Sequence, residues 1–174
     1  MAEFHDERTD EVEDDIREIR GALFDDRIAA LGPAEPICLP ETATVQDAAG
    51  AMLARRQACV MVVDAEGRLR GIFTERDVLT RVVGPGLDVA RTALGSVMTP
   101  NPEALTAAQR VAYAVHCMSV AGYRTVPLVD GQGRPVGVVT VSDVIRWLAG
   151  LFPEGVLNLA PGDAIKHPEA IDAG

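Results

Sequence analysis

The chain has few of the residues that mark disulfide frameworks, metal centres or catalytic machinery. Its three cysteines, Cys38, Cys59 and Cys117, are widely spaced and form no C-x-x-C pair. An odd, unpaired set argues against a secreted disulfide framework. All three lie in apolar segments and read as buried, inert thiols rather than redox groups. The histidines, His5, His116 and His167, are scattered, so no metal-ligand constellation is visible. His116 sits inside an apolar helical run, and no nucleophile–base pair converges anywhere, so no catalytic residue is assigned and no enzyme is expected. No apolar run approaches the length needed to cross a bilayer, and the acidic N-terminus is no signal peptide. The expectation is a cytoplasmic protein without membrane insertion. Basic charge is also short: the net charge is −10. Residues 1–35 carry 12 acidic and 4 basic side chains, a balance of −8, which leaves −2 for the remainder. A nucleic-acid partner would call for a basic face, and this distribution speaks against one.

What the chain does have is an internal repeat. Gly71-Ile72-Phe73-Thr74-Glu75-Arg76-Asp77 returns 66 residues later as Gly137-Val138-Val139-Thr140-Val141-Ser142-Asp143. The same offset aligns Pro36 with Pro102, Leu39 with Leu105, Met52 with Met118, Val63-Asp64 with Val129-Asp130, and Gly67-Arg68 with Gly133-Arg134, without a gap from 36 to about 81. Two copies are too few for a solenoid and predict two small units packed about a pseudo-twofold axis.

Each Gly-h-h-Thr-x-x-Asp stretch reads as a strand that ends at the threonine and turns into a helix. Thr74 and Thr140 fall at helix N-caps, with Asp77 and Asp143 one turn inside. Free N–H groups at such a corner attract phosphate, and the carboxylate beside them can accept hydrogen bonds from a ribose diol. The same pattern is a capping box, which by itself binds nothing. Its recurrence, after glycine both times, favours the functional reading.

In chain order, residues 1–8 are polar and read as loose. A helix is expected from about Thr9, where Val12, Ile16, Ile19 and Leu23 make one narrow apolar stripe. That stripe covers either its own module or a second subunit. Pro36–Leu39 is extended, Thr44 starts a helix, Cys59–Val63 is a buried strand, Leu69–Phe73 a second, and Thr74 to about Val83 a second helix. The second unit repeats the plan: a helix over about Ala108–Val120, strands at Thr125–Val129 and Val136–Val139, and a helix from Thr140 to about Ala149. The expected organisation is an acidic helical extension at 1–30, a first unit at 31–88, a linker and second unit at 89–150, and a proline-broken tail at 151–174. The fold class is α/β (α+β-like), two β-α-β-β-α units plus an N-terminal helix and a C-terminal tail.

Several linked motifs carry a family resemblance: Val97-Met98-Thr99-Pro100, Tyr123-Arg124-Thr125-Val126-Pro127-Leu128-Val129-Asp130, Gly133-Arg134-Pro135-Val136-Gly137, and the two threonine–aspartate stretches. Over about Leu31 to Ala149 the sequence resembles a tandem pair of cystathionine-beta-synthase (CBS) domains, a Bateman module. The resemblance implies a stand-alone regulatory module binding AMP, ADP, ATP or S-adenosylmethionine between its units, with no catalytic cofactor. It implies that Asp77 and Asp143 hold ribose, that Thr74 and Thr140 approach phosphate, and that Ile72, Val138, Ala58, Val60, Arg124 and Val126 line the clefts. Tyr123 and Pro127 join them in the second unit, and Arg76 could reach a phosphate. It further implies a homodimer and an unidentified regulated protein, the chain itself holding no enzyme or transporter domain. The units differ: Gln57-Ala58 stands opposite Tyr123-Arg124, Met61 opposite Pro127, and Arg76 opposite Ser142, so the clefts are not equivalent. The competing expectation is a ligand-independent interaction scaffold working through the acidic N-terminal helix.

Overall fold

The apolar run Cys59–Val63 forms β2, buried from Cys59 to Val62 because both of its faces are covered. The structure, a computed structural model, describes residues 7–151, with side chains from residue 16 onward. β2 pairs in parallel with β1 (Cys38–Pro40) and antiparallel with β3 (Leu69–Thr74), whose far edge carries β4 (Thr99–Pro100). The second sheet pairs β5 (Thr125–Val129) antiparallel with β6 (Pro135–Thr140). Single bridges extend it: Leu105 runs parallel to Leu128, and Ala34 antiparallel to Val138. These bridges stand where β1 and β4 stand in the first sheet.

The two lead-in segments are therefore crossed. Thr99 and Pro100, which precede the second unit, pair with Ile72 and Gly71 and complete the first sheet. Ala34, which precedes the first unit, exchanges both backbone bonds with Val138, at 3.0 and 2.9 Å. The glycine at each edge is needed for this approach. A Cβ on Gly71 would lie 2.2 Å from Met98 Sδ, and one on Gly137 3.3 Å from Pro33 Cβ.

Both hairpins use one device. The Asp64 carboxylate accepts from the Glu66 and Arg68 amides at 3.1 and 2.8 Å and from Arg68 Nε at 3.0 Å. Asp130 does the same with the Gln132 and Arg134 amides and Arg134 Nε, each at 2.9 Å. Gly67 and Gly133 supply the positive φ, +77° and +78°, that the turns demand.

The helices are α1 (Glu7–Asp25), α2 (Val45–Arg55), α3 (Glu75–Asp77), α4 (Val111–Val120) and α5 (Val141–Leu151). α3 continues without a break as a π-wound segment, Val78–Val83, closed by Gly84 N–H on Leu79 O at 2.9 Å. α4 starts three residues later than the periodicity predicts. The carbonyls of Ala107 and Gln109 are taken by the amides of Ala29 and Ile28, at 3.0 and 2.8 Å, which holds that stretch out of the helix. One core gathers Val60, Val62, Phe73 and Val82, and a second gathers Ile28, Val111, Val126 and Val139. Cys59, Met61 and Ile72 of the first unit meet Val138 of the second at the joint.

α1 rests on the second unit of its own chain. Leu23 packs on the second core, Arg110 donates to Phe24 O, and Trp147 Nε1 donates to Asp26 Oδ2 at 3.0 Å. Farther along the stripe Ile16 is 57% exposed. The Val12 side chain, residues 1–6 and the tail from residue 152 lie outside the described residues.

Two outcomes are expected. Gly71→Ala forces Met98 aside and costs about 1–3 kcal/mol in urea denaturation, more than Gly137→Ala, whose neighbours have only tenths of an ångström to yield. Backbone hydrogen bonds, chiefly from the Arg68 and Arg134 amides, hold the Asp64 and Asp130 carboxyls below their ordinary 3.8. A depressed folded-state pKa means stability present above the unfolded value and lost as pH falls through the folded one. Melting temperature followed from neutral pH down through about pH 4 and below should fall less steeply in the Asp64→Asn, Asp130→Asn double variant.

Candidate functional site

Strand pairing puts the end of β2 beside the end of β3. Cys59 pairs with Thr74, and in the second unit Thr125 pairs with Thr140. The strand-to-helix turn is then sealed by the backbone. Glu75 N–H donates to Ala58 O at 3.1 Å, and Val141 N–H to Arg124 O at 3.1 Å. Each unit so acquires one corner, built on the strand edge that the other unit's lead-in segment covers.

At the first corner Thr74 N–H and Thr74 Oγ1 donate to Asp77 Oδ2 at 2.9 and 2.7 Å, and Asp77 N–H donates to Thr74 Oγ1 at 3.3 Å. The second corner matches it: Thr140 N–H and Oγ1 donate to Asp143 Oδ2 at 2.8 Å each, and Asp143 N–H donates to Thr140 Oγ1 at 3.3 Å. One oxygen of each carboxylate is thus turned onto its own threonine as a capping box. The pattern is not unique to the repeat. Thr44 and Asp47 form the same box at the start of α2, on an exposed surface.

The corners differ from that third box in burial and in the second oxygen. Asp77 is 7% exposed and is the one buried charged residue among the described residues. Its Oδ1 faces Arg81 Nε at 3.2 Å. Asp143, with a side chain 14% exposed, faces Arg146 at 2.9 Å through Oδ1. The outer oxygens are the ones a hydroxyl pair would approach.

The other expected site residues fall into three groups. Ile72 and Val138 are buried together at the joint between the units, and Pro127 is buried as the strand partner of Val138. Ala58, Arg76, Tyr123 and Arg124 are exposed around the two corners. Val60 and Val126 correct the reading: both point into the cores of their own units, 0% and 1% exposed. Side chains alternate along a strand, so the residues on the face of Ile72 and Val138 are Cys59 and Met61 in β2, and Thr125 and Pro127 in β5. Cys59 and Thr125, each opposite a corner threonine, were missed. Counting the period of two back from Met61 and Pro127 would have found them. Burial, helped by the Glu75 charge, pushes the Cys59 thiol up to about 12, so it is inert at neutral pH. Among the described residues no group of His, Cys, Asp and Glu could hold a metal, and no helix is long and apolar enough to cross a membrane.

A duplicated βαββα unit with crossed lead-ins and a Thr-x-x-Asp corner in each copy defines a tandem paired-domain architecture. The CBS domain family matches residues 32–84 and 94–150, and the chain belongs to it. A CBS domain-containing protein of Arabidopsis thaliana, CBSCBSPB1, is 33% identical over 131 residues, covering 74% of this chain and 24% of the relative. The chain therefore spans about a quarter of that relative's length. The CBS domain pair of protein MJ0100, solved with 5'-methylthioadenosine and S-adenosyl-L-methionine, superposes with a TM-score of 0.60 at 26% identity, covering 66% of this chain and 89% of that one. CBSX2, solved with AMP, shares the fold with a TM-score of 0.58 at 19% identity, over 69% of this chain and 93% of that one.

The capping boxes have a measurable weight apart from any ligand. Thr44→Ala, Thr74→Ala and Thr140→Ala should each cost about 1 kcal/mol in chemical denaturation. The Thr44 variant is the control that leaves ligand responses untouched.

Proposed function

We propose that this chain is a non-enzymatic regulatory module that senses an adenosine-containing ligand, AMP, ADP, ATP or S-adenosylmethionine, in the crevice between its two units. The observation that carries the reading is the pair of matching corners. Each presents a threonine hydroxyl and the outer oxygen of an aspartate next to the buried joint. Two acceptor positions on one carboxylate suit the vicinal hydroxyls of a ribose. The adenosine ligands in the MJ0100 and CBSX2 structures support carrying this chemistry over. In this reading Asp77 and Asp143 hold ribose, Thr74 and Thr140 approach phosphate, and Ile72, Val138, Cys59 and Thr125 flank the base.

The signal is a population shift. A ligand of micromolar affinity supplies about 8 kcal/mol, and the part of it that differs between the two states sets how far it shifts them. The second corner has a route outward: Thr140 opens α5, and Trp147 of α5 holds Asp26 at the end of α1. Ligand at that corner would move the acidic arm, or rearrange a homodimer in the cytoplasm, and so reach a regulated partner. The scaffold reading, in which α1 works without ligand, draws on the exposure of Ile16 and Phe24 along that arm.

Thermal melts separate the two. AMP, ADP, ATP or S-adenosylmethionine at 100 times its dissociation constant should stabilise the protein by roughly 2.7 kcal/mol. Asp77→Asn, Asp143→Asn, which keeps an oxygen for the cap, should abolish the response. A melt that none of the four ligands moves favours the scaffold.

A further inference from the structure

The two corners compete for a ribose against different cations. At the second corner the competitor is Arg146, three residues on, with a side chain 74% exposed. Such a pair lies in water and is weakly held. At the first corner the competitor is Arg81, and its guanidinium is tied down at both ends. Nε faces Asp77 Oδ1 at 3.2 Å, while the same group donates to Val97 O at 3.1 Å and Met98 O at 2.5 Å. Those carbonyls belong to the segment that enters the second unit, where Val97 is buried in the first core and Met98 covers Gly71. The residue matching Arg81 in the repeat is Trp147, which reaches Asp26 and leaves Asp143 alone. The π winding of Val78–Val83, which has no counterpart in α5, surrounds Arg81.

A carboxylate has about four acceptor positions. Asp77 already spends two on Thr74, both at Oδ2, and its Oδ1 lies in ion-pair contact with the Arg81 guanidinium that the two carbonyls anchor. A diol that takes both positions on Oδ1 must push that tethered guanidinium aside. We infer that Arg81 is a built-in competitor for Asp77: the Asp143 corner takes a ribose first, and the Asp77 corner takes one only when Arg81 releases the segment leading into the second unit. Arg81 is then a positioning residue that couples occupancy of the first corner to the crossed lead-in. This rests on the adenosine-sensing reading above and assigns the order of its two sites.

Titration calorimetry with AMP, ADP, ATP and S-adenosylmethionine tests it on the folded chain, folding being checked by thermal melt. Asp143→Asn should remove the tighter binding step. In that background Arg81→Met should tighten the remaining step by about tenfold or more, a gain that mere loss of structure does not produce. Arg81→Lys, which keeps the pair with Asp77 but cannot also span two carbonyls, should fall between. Arg146→Met in an Asp77→Asn background should change affinity by less than about threefold. A tight step that survives Asp143→Asn, or a first corner that Arg81→Met leaves unchanged or weakens, overturns the order of sites while leaving the sensing reading intact. Wild-type chain that binds none of the four probes overturns both.

Discussion

Everything in this molecule depends on the exchange of lead-in segments between the two units. A two-stranded hairpin with one apolar face is not stable alone. Here each hairpin is flanked by one extended segment from its own lead-in and another from the lead-in of its twin, as strands in the first sheet and as single bridges in the second. The backbone bonds of Ala34 with Val138 and the pairing of Thr99 with Ile72 close the exposed edges of β6 and β3. The same exchange places each threonine–aspartate corner beside the joint, because the strand that ends in the corner is the strand the visiting segment covers.

The symmetry is approximate, and its failures are local. Arg81 and Trp147 occupy matching positions and both hold a lead-in, one through carbonyl oxygens and the other through an aspartate. Leu69 N–H donates across the joint to Gly133 O at 2.9 Å. Its counterpart, Pro135, has no N–H to return the bond. A twofold frame with such differences gives two corners built on one plan and held by different neighbours.

Much of this was legible in the residues. The constant 66-residue offset located both units, the apolar runs located β2 and β5, and the threonine–aspartate pairs located the corners. Three things were not legible, each for a physical reason. The crossing of lead-ins is a long-range pairing with no local pattern: Ala34 and Val138 are ordinary residues in an extended chain. The cleft face of β2 was misjudged because a fully buried strand shows no alternation of polar and apolar residues, so Val60 and Met61 look equally apt. The role of Arg81 depends on where Val97 and Met98 come to rest, and a basic residue on an exposed helical turn carries no mark of that.

The crossing also has a consequence for synthesis. As the chain leaves the ribosome, the whole first repeat emerges, up to Gly84-Pro85-Gly86, before the strand that finishes its sheet exists. Until Thr99 and Pro100 follow, the edge of β3 stays open, and the face of Met61 and Ile72 stays open until Val138 is made. Ala34, by contrast, is made early and must wait for Val138. The boundary between the repeats in sequence is thus not a boundary between finished sheets, since each hairpin is edged by a segment that precedes its twin.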